Sequence, residues 1–185
     1  MTKEAEWALI DRIIAGEREA YATLVDRYKG YAVTLALKIL GDRADAEEAA
    51  QDAFVKAFHH LNDFNKQAKF STWLYRIVFN TSVSYKRRRR IKFDDIEKTS
   101  LGLHTEADHS LEKHDRQKYL RQAMNILAES DRAALTLFYL DELSLDEIAV
   151  VTGQPPNTMK VRIHRARIRL AEALKTILKK EALTL

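Results

Sequence analysis

The chain contains no cysteine and only 2 prolines and 5 glycines among its 185 residues. Without thiols there is no disulfide, no thiolate-bound metal and no cysteine nucleophile. The shortage of turn formers argues against sheets built on tight hairpins, which draw on glycine and proline. A helical chain has no such need. No run of roughly 18 apolar residues occurs, so nothing reads as a membrane-spanning helix. The opening segment, Met1-Thr-Lys-Glu-Ala-Glu-Trp7, is acidic where a secretion signal is basic, and no apolar stretch follows it. These absences lead to the expectation of a cytoplasmic protein.

What is present is globular in composition, with 46% hydrophobic and 31% charged residues. The length suits one ordinary domain or two small ones. The net charge is +4, and its spread matters more than its size. Residues 1–85 carry 11 basic and 12 acidic groups, whereas residues 117–185 carry 11 and 8. A local excess of cations of this kind is the electrostatic footprint of a nucleic-acid partner.

Helical periodicity divides the chain in two. Residues 4–40 read as two helices broken near Gly16, with Trp7, Ile10, Ile13 and Ile14 in helical register. Gly41-Asp42 ends one helix and caps the next. From about Asp45, residues Ala46, Ala49, Ala50, Ala53, Phe54, Ala57, Phe58 and Leu61 form one apolar stripe, opposite Glu47, Glu48, Gln51, Asp52 and Lys56. After a polar loop, Ser71 is expected to cap a helix whose Trp73, Leu74, Ile77, Val78 and Val83 reach a core. That helix runs into Lys86-Arg87-Arg88-Arg89-Arg90. Periodicity is lost over residues 91–115 and returns at Tyr119, with Leu120, Ala123, Met124, Ile126 and Leu127 on one side. The fold expected is all-α: two small helical domains, residues 1–90 and 116–185, joined by a flexible linker over 91–115.

The second domain carries the most specific pattern. Ser144-Leu-Asp-Glu147 is a capping box opening a short helix, which Gly153 stops. Asn157 then reads as the N-cap of a long helix. A short bracing helix, a tight turn and a longer helix rich in arginine make a helix-turn-helix. The last helix offers Asn157, Thr158, Lys160, Arg162, His164 and Arg165 to DNA, and Val161, Ile163, Ile168 and Leu170 to the interior. Two further segments suit nucleic acid. The run Lys86, Arg87, Arg88 is suited to phosphates. Phe64 to Arg76 interleaves aromatics with cations and amides, as single-stranded bases require; the alternative is that Phe70 and Trp73 are core, and for Trp73 core is the favoured reading.

Three blocks then carry a resemblance. Asp45-Ala-Glu-Glu-Ala-Ala-Gln-Asp-Ala-Phe-Val-Lys-Ala-Phe58, Phe70-Ser-Thr-Trp-Leu-Tyr-Arg-Ile77, and Leu143-Ser-Leu-Asp-Glu-Ile-Ala149 with Asn157-Thr-Met-Lys-Val-Arg-Ile-His-Arg-Ala-Arg167 resemble the extracytoplasmic-function sigma factors of the sigma-70 superfamily. The resemblance implies a first domain equivalent to sigma region two and a second equivalent to region four. It implies that Glu48, Gln51 and Asp52 dock on core RNA polymerase, at the clamp of the β′ subunit, with the β flap a further contact. It assigns Lys69, Ser71, Thr72, Tyr75, Arg76 and Asn80 to the minus-ten promoter element, and the last helix to the minus-thirty-five element. The linker acids Asp94, Asp95 and Glu97 would thread towards the polymerase channel, and an anti-sigma factor is the implied inhibitor. Three departures are visible: Leu127-Ala-Glu-Ser130 lacks the family's Leu-Pro pair, leaving Ser130 as the expected helix cap; Pro155-Pro156 stand where the family often has glycine or a small residue; and Arg162 stands where a family serine is common.

The function expected is an alternative sigma factor, a monomer when free, that directs core polymerase to promoters and helps melt them. Such a protein has no catalytic residue, metal or cofactor. An ordinary helix-turn-helix regulator would need a ligand pocket or a dimer seam in its first domain, and neither is legible. A metal-dependent nuclease is disfavoured because His104, His109 and His114, spaced by five, point about 140° apart on a helix.

Overall fold

The computed structural model describes residues 2–94 and 111–182, with side chains for residues 2–89 and 117–179. The side chains of Asp94, Asp95, Glu97, His104, His109 and His114 therefore lie outside the described residues. Among the described residues every regular element is helical and no strand occurs.

Local chemistry sets the helix ends in the first domain. Helix α1 (Lys3–Ile14) opens on Thr2, whose hydroxyl accepts from the Ala5 amide at 3.3 Å. A 3-10 turn at Arg18–Ala20 leads into α2 (Tyr21–Leu40), which closes on Gly41 in the left-handed conformation, φ 79°. The Asp42 carboxylate accepts from the Asp45 amide at 3.0 Å and so starts α3 (Arg43–His59) at Arg43, two residues before the apolar stripe suggests. Helix α4 (Phe70–Asp94) begins at Phe70, which places Ser71 inside the first turn and not at the cap.

Helices α2, α3 and α4 pack against one another. The buried side of α3 is almost all alanine (Ala46, Ala49, Ala50, Ala53 and Ala57), and such short side chains let its neighbours approach closely. Phe70 sits at the centre with no exposed surface. The rings of Tyr28, Phe64 and Trp73 each lie 5.6, 5.6 and 5.6 Å from it, a tilted and edge-on cluster of the kind aromatic quadrupoles favour. Phe70 is thus core.

The second domain comprises α5 (Leu111–Ile126), α6 (Glu129–Tyr139), α7 (Leu145–Thr152) and α8 (Pro156–Ala182), with α8 packed on the other three. Helix α6 starts without a side-chain cap, and Ser130 is engaged elsewhere. Helix α8 starts on Pro156, whose missing N–H is no loss in a first turn, so Asn157 lies within the helix. Helical structure also enters both ends of the segment read as aperiodic, up to Asp94 and from Leu111.

The two domains share a seam in which α7 lies on α4 and α6 on α2, and their buried residues form one continuous cluster. Several apolar residues expected inside are instead exposed: Ile14, Val83, Leu120, Ile126, Val161 and Ile168. For the last two the reason is register. Met159, Ile163 and Ala166 define the inner face of α8, and at 100° per residue Val161 and Ile168 fall on the opposite side.

Two substitutions separate core packing from backbone conformation. Phe70→Ala should cost about 3–5 kcal/mol, read from the urea midpoint at constant slope. Gly153, at φ 69°, should lose about 1–2 kcal/mol on Gly153→Ala, because the left-handed conformation strains a Cβ even where open space surrounds it.

Candidate nucleic-acid interface

On α3 the outward residues are Glu48, Gln51 and Asp52, all exposed and within one arc of the helix, flanking an exposed Val55. Tyr85 of α4 reaches this face. A hydrogen bond to Glu48, with partial burial and the charges of Glu48 and Asp52, pushes its hydroxyl up to about 12. The guanidinium of Arg88 lies 5.1 Å from the Tyr85 ring. The face is open, acidic and bordered by cations.

The six candidates at the start of α4 divide between two surfaces. Arg76 and Asn80 are exposed and line an open groove of about 380 Å³ with Trp73, Lys56 and His60. Thr72 and Tyr75 face the seam and are buried, at 0% and 4% exposure. Ser71 is half-buried and Lys69 stands at the seam's rim. One carboxylate joins these groups: Glu147 Oε1 accepts from Thr72 Oγ1 at 3.3 Å and lies 3.0 Å from Lys69 Nζ. Its other oxygen accepts from the Ser144 amide at 2.9 Å, completing the capping box. Burial opposes the charge on Glu147, but the Ser144 bonds and Lys69 prevail and hold its pKa below the usual value.

The cationic run is only partly free. Lys86 donates to the Ile39 carbonyl at 3.1 Å and pairs with Glu129 across the seam, and Arg89 pairs with Asp45. Arg87 and Arg88 remain exposed.

In the helix-turn-helix, α7 ends at Gly153 in the left-handed conformation, and α8 turns its outer face to solvent. Asn157, Thr158, Lys160, His164 and Arg165 are exposed. Arg162 is not a free base reader: it donates to Ser130 Oγ at 2.7 Å and lies 3.5 Å from Asp131. Arg169 reaches the same carboxylate at 2.5 Å. Sequence reasoning had no signal for Asp131, which reads only as an acid in a first helical turn.

A basic recognition helix, an aromatic–basic groove and an open acidic helix thus coexist in one small chain. The sigma-70 region 2 family model matches residues 24–91, and a sigma-70 region 4 model matches residues 117–170. The chain is 31% identical to the RNA polymerase sigma-H factor of Pseudomonas aeruginosa, across 97% of this chain and 98% of that protein. It is also 31% identical to the ECF RNA polymerase sigma factor SigW of Bacillus subtilis, across 91% and 96%. The chain belongs to the extracytoplasmic-function sigma factors. It is therefore a transcription initiation factor of the kind that directs RNA polymerase to promoters. Among solved structures, this sigma factor resembles RpoE of Bartonella quintana in complex with the anti-sigma factor NepR, with TM-score 0.69 and 26% identity over 84% of this chain and 96% of that one. It also resembles CnrH in complex with the cytosolic domain of CnrY, with TM-score 0.63 and 26% identity over 91% and 96%. Region two accounts for α2 to α4, and region four for α5 to α8.

Among the described residues no group of His, Asp or Glu could hold a metal ion, and no helix is long and apolar enough to cross a membrane.

The seam contains groups that resist it. Lys38 is held below its usual pKa by burial and by Arg121 and Arg132 across the seam. Asp141 has a buried carboxylate oxygen without a hydrogen-bond partner, and burial pushes its pKa up to about 6. Burial raises Tyr75 too, and the charge of nearby Asp141 adds to the effect. A raised carboxylate stabilises the closed state in full only below its unfolded pKa, near 3.8, and the benefit is lost as pH rises through about 6. Allowing for water that still reaches the group, the loss should be about 1–2 kcal/mol. Denaturation from pH 4 to 7 should therefore show Asp141→Asn gaining on the wild type as pH rises; parallel curves for the two proteins would refute this.

Proposed function

We propose that the two open surfaces and the one covered surface divide the work of promoter recognition. The observation that carries this reading is the separation of charges, with an acidic face on α3 and a basic outer face on α8. Glu48, Gln51 and Asp52 dock on core RNA polymerase at the β′ clamp, and the second domain meets the β flap. Helix α8 enters the major groove at the minus-thirty-five element with Asn157, Thr158, Lys160, His164 and Arg165. Lys69, Ser71, Thr72, Tyr75, Arg76 and Asn80 serve the minus-ten element, where captured bases offset the few kcal/mol that unstacking each one costs. Lys86, Arg87 and Arg88 serve the phosphates. The working units are residues 1–90 and 116–185, with 91–115 between them.

This division requires the seam to open, because Thr72 is buried against Glu147 of α7 and Tyr75 is buried close to Asp141. The seam combines a continuous apolar cluster with an unpaired Asp141 oxygen and the crowded cations Lys38, Arg121 and Arg132, and these polar groups favour its opening. Two weak DNA-binding modules gain avidity only when polymerase fixes their spacing. The relative bound to the anti-sigma factor NepR supports an anti-sigma partner here as well. The protein works in the cytoplasm, as a monomer when free. It performs no covalent chemistry, which is left to the polymerase.

The deciding experiment is co-purification with bacterial core RNA polymerase. The wild type should bind, and a Glu48→Ala/Gln51→Ala/Asp52→Ala variant should lose binding without losing its fold, since all three side chains are exposed. Retained binding by the variant would refute the docking face. Within the assembled holoenzyme, Arg76→Ala/Asn80→Ala should reduce permanganate reactivity of the melted strand while leaving upstream DNA protection in place.

A further inference from the structure

Asp131 is an expensive residue in its position. It stands in the first turn of α6, is 3% exposed, and would be costly as an unpaired charge. Its partners both come from α8: Oδ2 accepts from Arg169 Nη1 at 2.5 Å, and Oδ1 lies 3.5 Å from Arg162 Nη1. Ser130 Oγ takes the same Arg162 nitrogen at 2.7 Å. Arg162 and Arg169 are two helical turns apart on one edge of α8, with Arg165 between them. The three arginines, Thr158 and Val161 line an open groove of about 500 Å³ with Asp131 at its floor.

A guanidinium has five N–H donors in a rigid fork. Asp131 and Ser130 occupy only part of this capacity, so each arginine keeps donors that can face the groove. The carboxylate thus has two opposing effects on a polyanion. It subtracts one charge from a site of three cations, which weakens indiscriminate attraction. It also fixes two long side chains that would otherwise lose their freedom at the moment of binding. The inner face of α8, set by Met159, Ile163 and Ala166, places this arginine row beside Val161 and Arg165, so it flanks the base-reading surface.

We propose that Asp131 is a positioning residue for DNA recognition: it presets Arg162 and Arg169 as a phosphate clamp along one edge of α8. The ratio of specific to non-specific DNA binding depends on it. This rests on the reading that α8 binds the upstream promoter element. Arg162 accordingly belongs to backbone contacts and not to base readout.

The test uses holoenzyme assembled from the full chain and core polymerase. One duplex is selected by wild-type holoenzyme from a random pool, and the other is an unrelated duplex of equal length. Asp131→Asn keeps the shape and removes the charge. It should weaken binding to the selected duplex about tenfold, leave or strengthen binding to the unrelated one, and steepen the log K against log salt slope by about 1. Asp131→Glu should restore part of the discrimination. Equal weakening on both duplexes would mark Asp131 as a merely structural residue and overturn the proposal. So would no change on either, provided Arg165→Ala weakens both duplexes. If Arg165→Ala also has no effect, the reading of α8 as the DNA helix fails with it.

Discussion

One oxygen of the Glu147 carboxylate accepts the Ser144 amide at the first turn of α7, while the other faces Lys69 and Thr72 across the seam. Helix α7 has only eight residues, too few to hold together on propensity alone, so it depends on its cap together with the burial of Ile148 and Val151. The same group that secures the bracing helix of the helix-turn-helix also secures that helix against α4. The brace and the seam are thereby coupled: the carboxylate must stay ionised and in place for both. Its depressed pKa is the signature of that double engagement.

The geometry of closure is asymmetric. The second domain approaches the first with α6 and α7, the scaffold of its motif, and leaves the outer face of α8 in solvent. On the first domain it covers Thr72 and Tyr75 but leaves Arg76, Asn80 and the acidic face of α3 open. The closed chain therefore keeps the acidic face of α3 and the basic outer face of α8 accessible and buries Thr72 and Tyr75. Within the continuous apolar cluster of the seam, Lys38 with Arg121 and Arg132, and the unpaired Asp141 oxygen, oppose closure.

The helices themselves were largely legible because the signals are local, although the starts of α3, α4, α6 and α8 were misplaced by a residue or two. The alanine stripe of α3, the capping box at Ser144 and the left-handed Gly153 all involve residues within a turn or two of each other. The motif blocks added the family. What escaped the sequence is non-local. Thr72 and Glu147 are 75 positions apart, and Asp131 is 31 and 38 positions from its two arginines. No periodicity reports such pairs. Val161 and Ile168 misled for a different reason: α8 carries apolar residues on more than one face, so hydrophobicity by itself could not say which face is inward.

The shared core also has a consequence in time. During synthesis α4 is finished at Asp94, and α7, whose Glu147 meets Thr72, begins only at Leu145. At ordinary rates of translation that gap of some 50 residues lasts roughly 3–10 s. For that interval the nascent first domain has its seam face without a lid, carrying Tyr75 and the edge of the Phe70 cluster. The chain is born open and becomes closed, so every copy has passed through an open state before its seam forms.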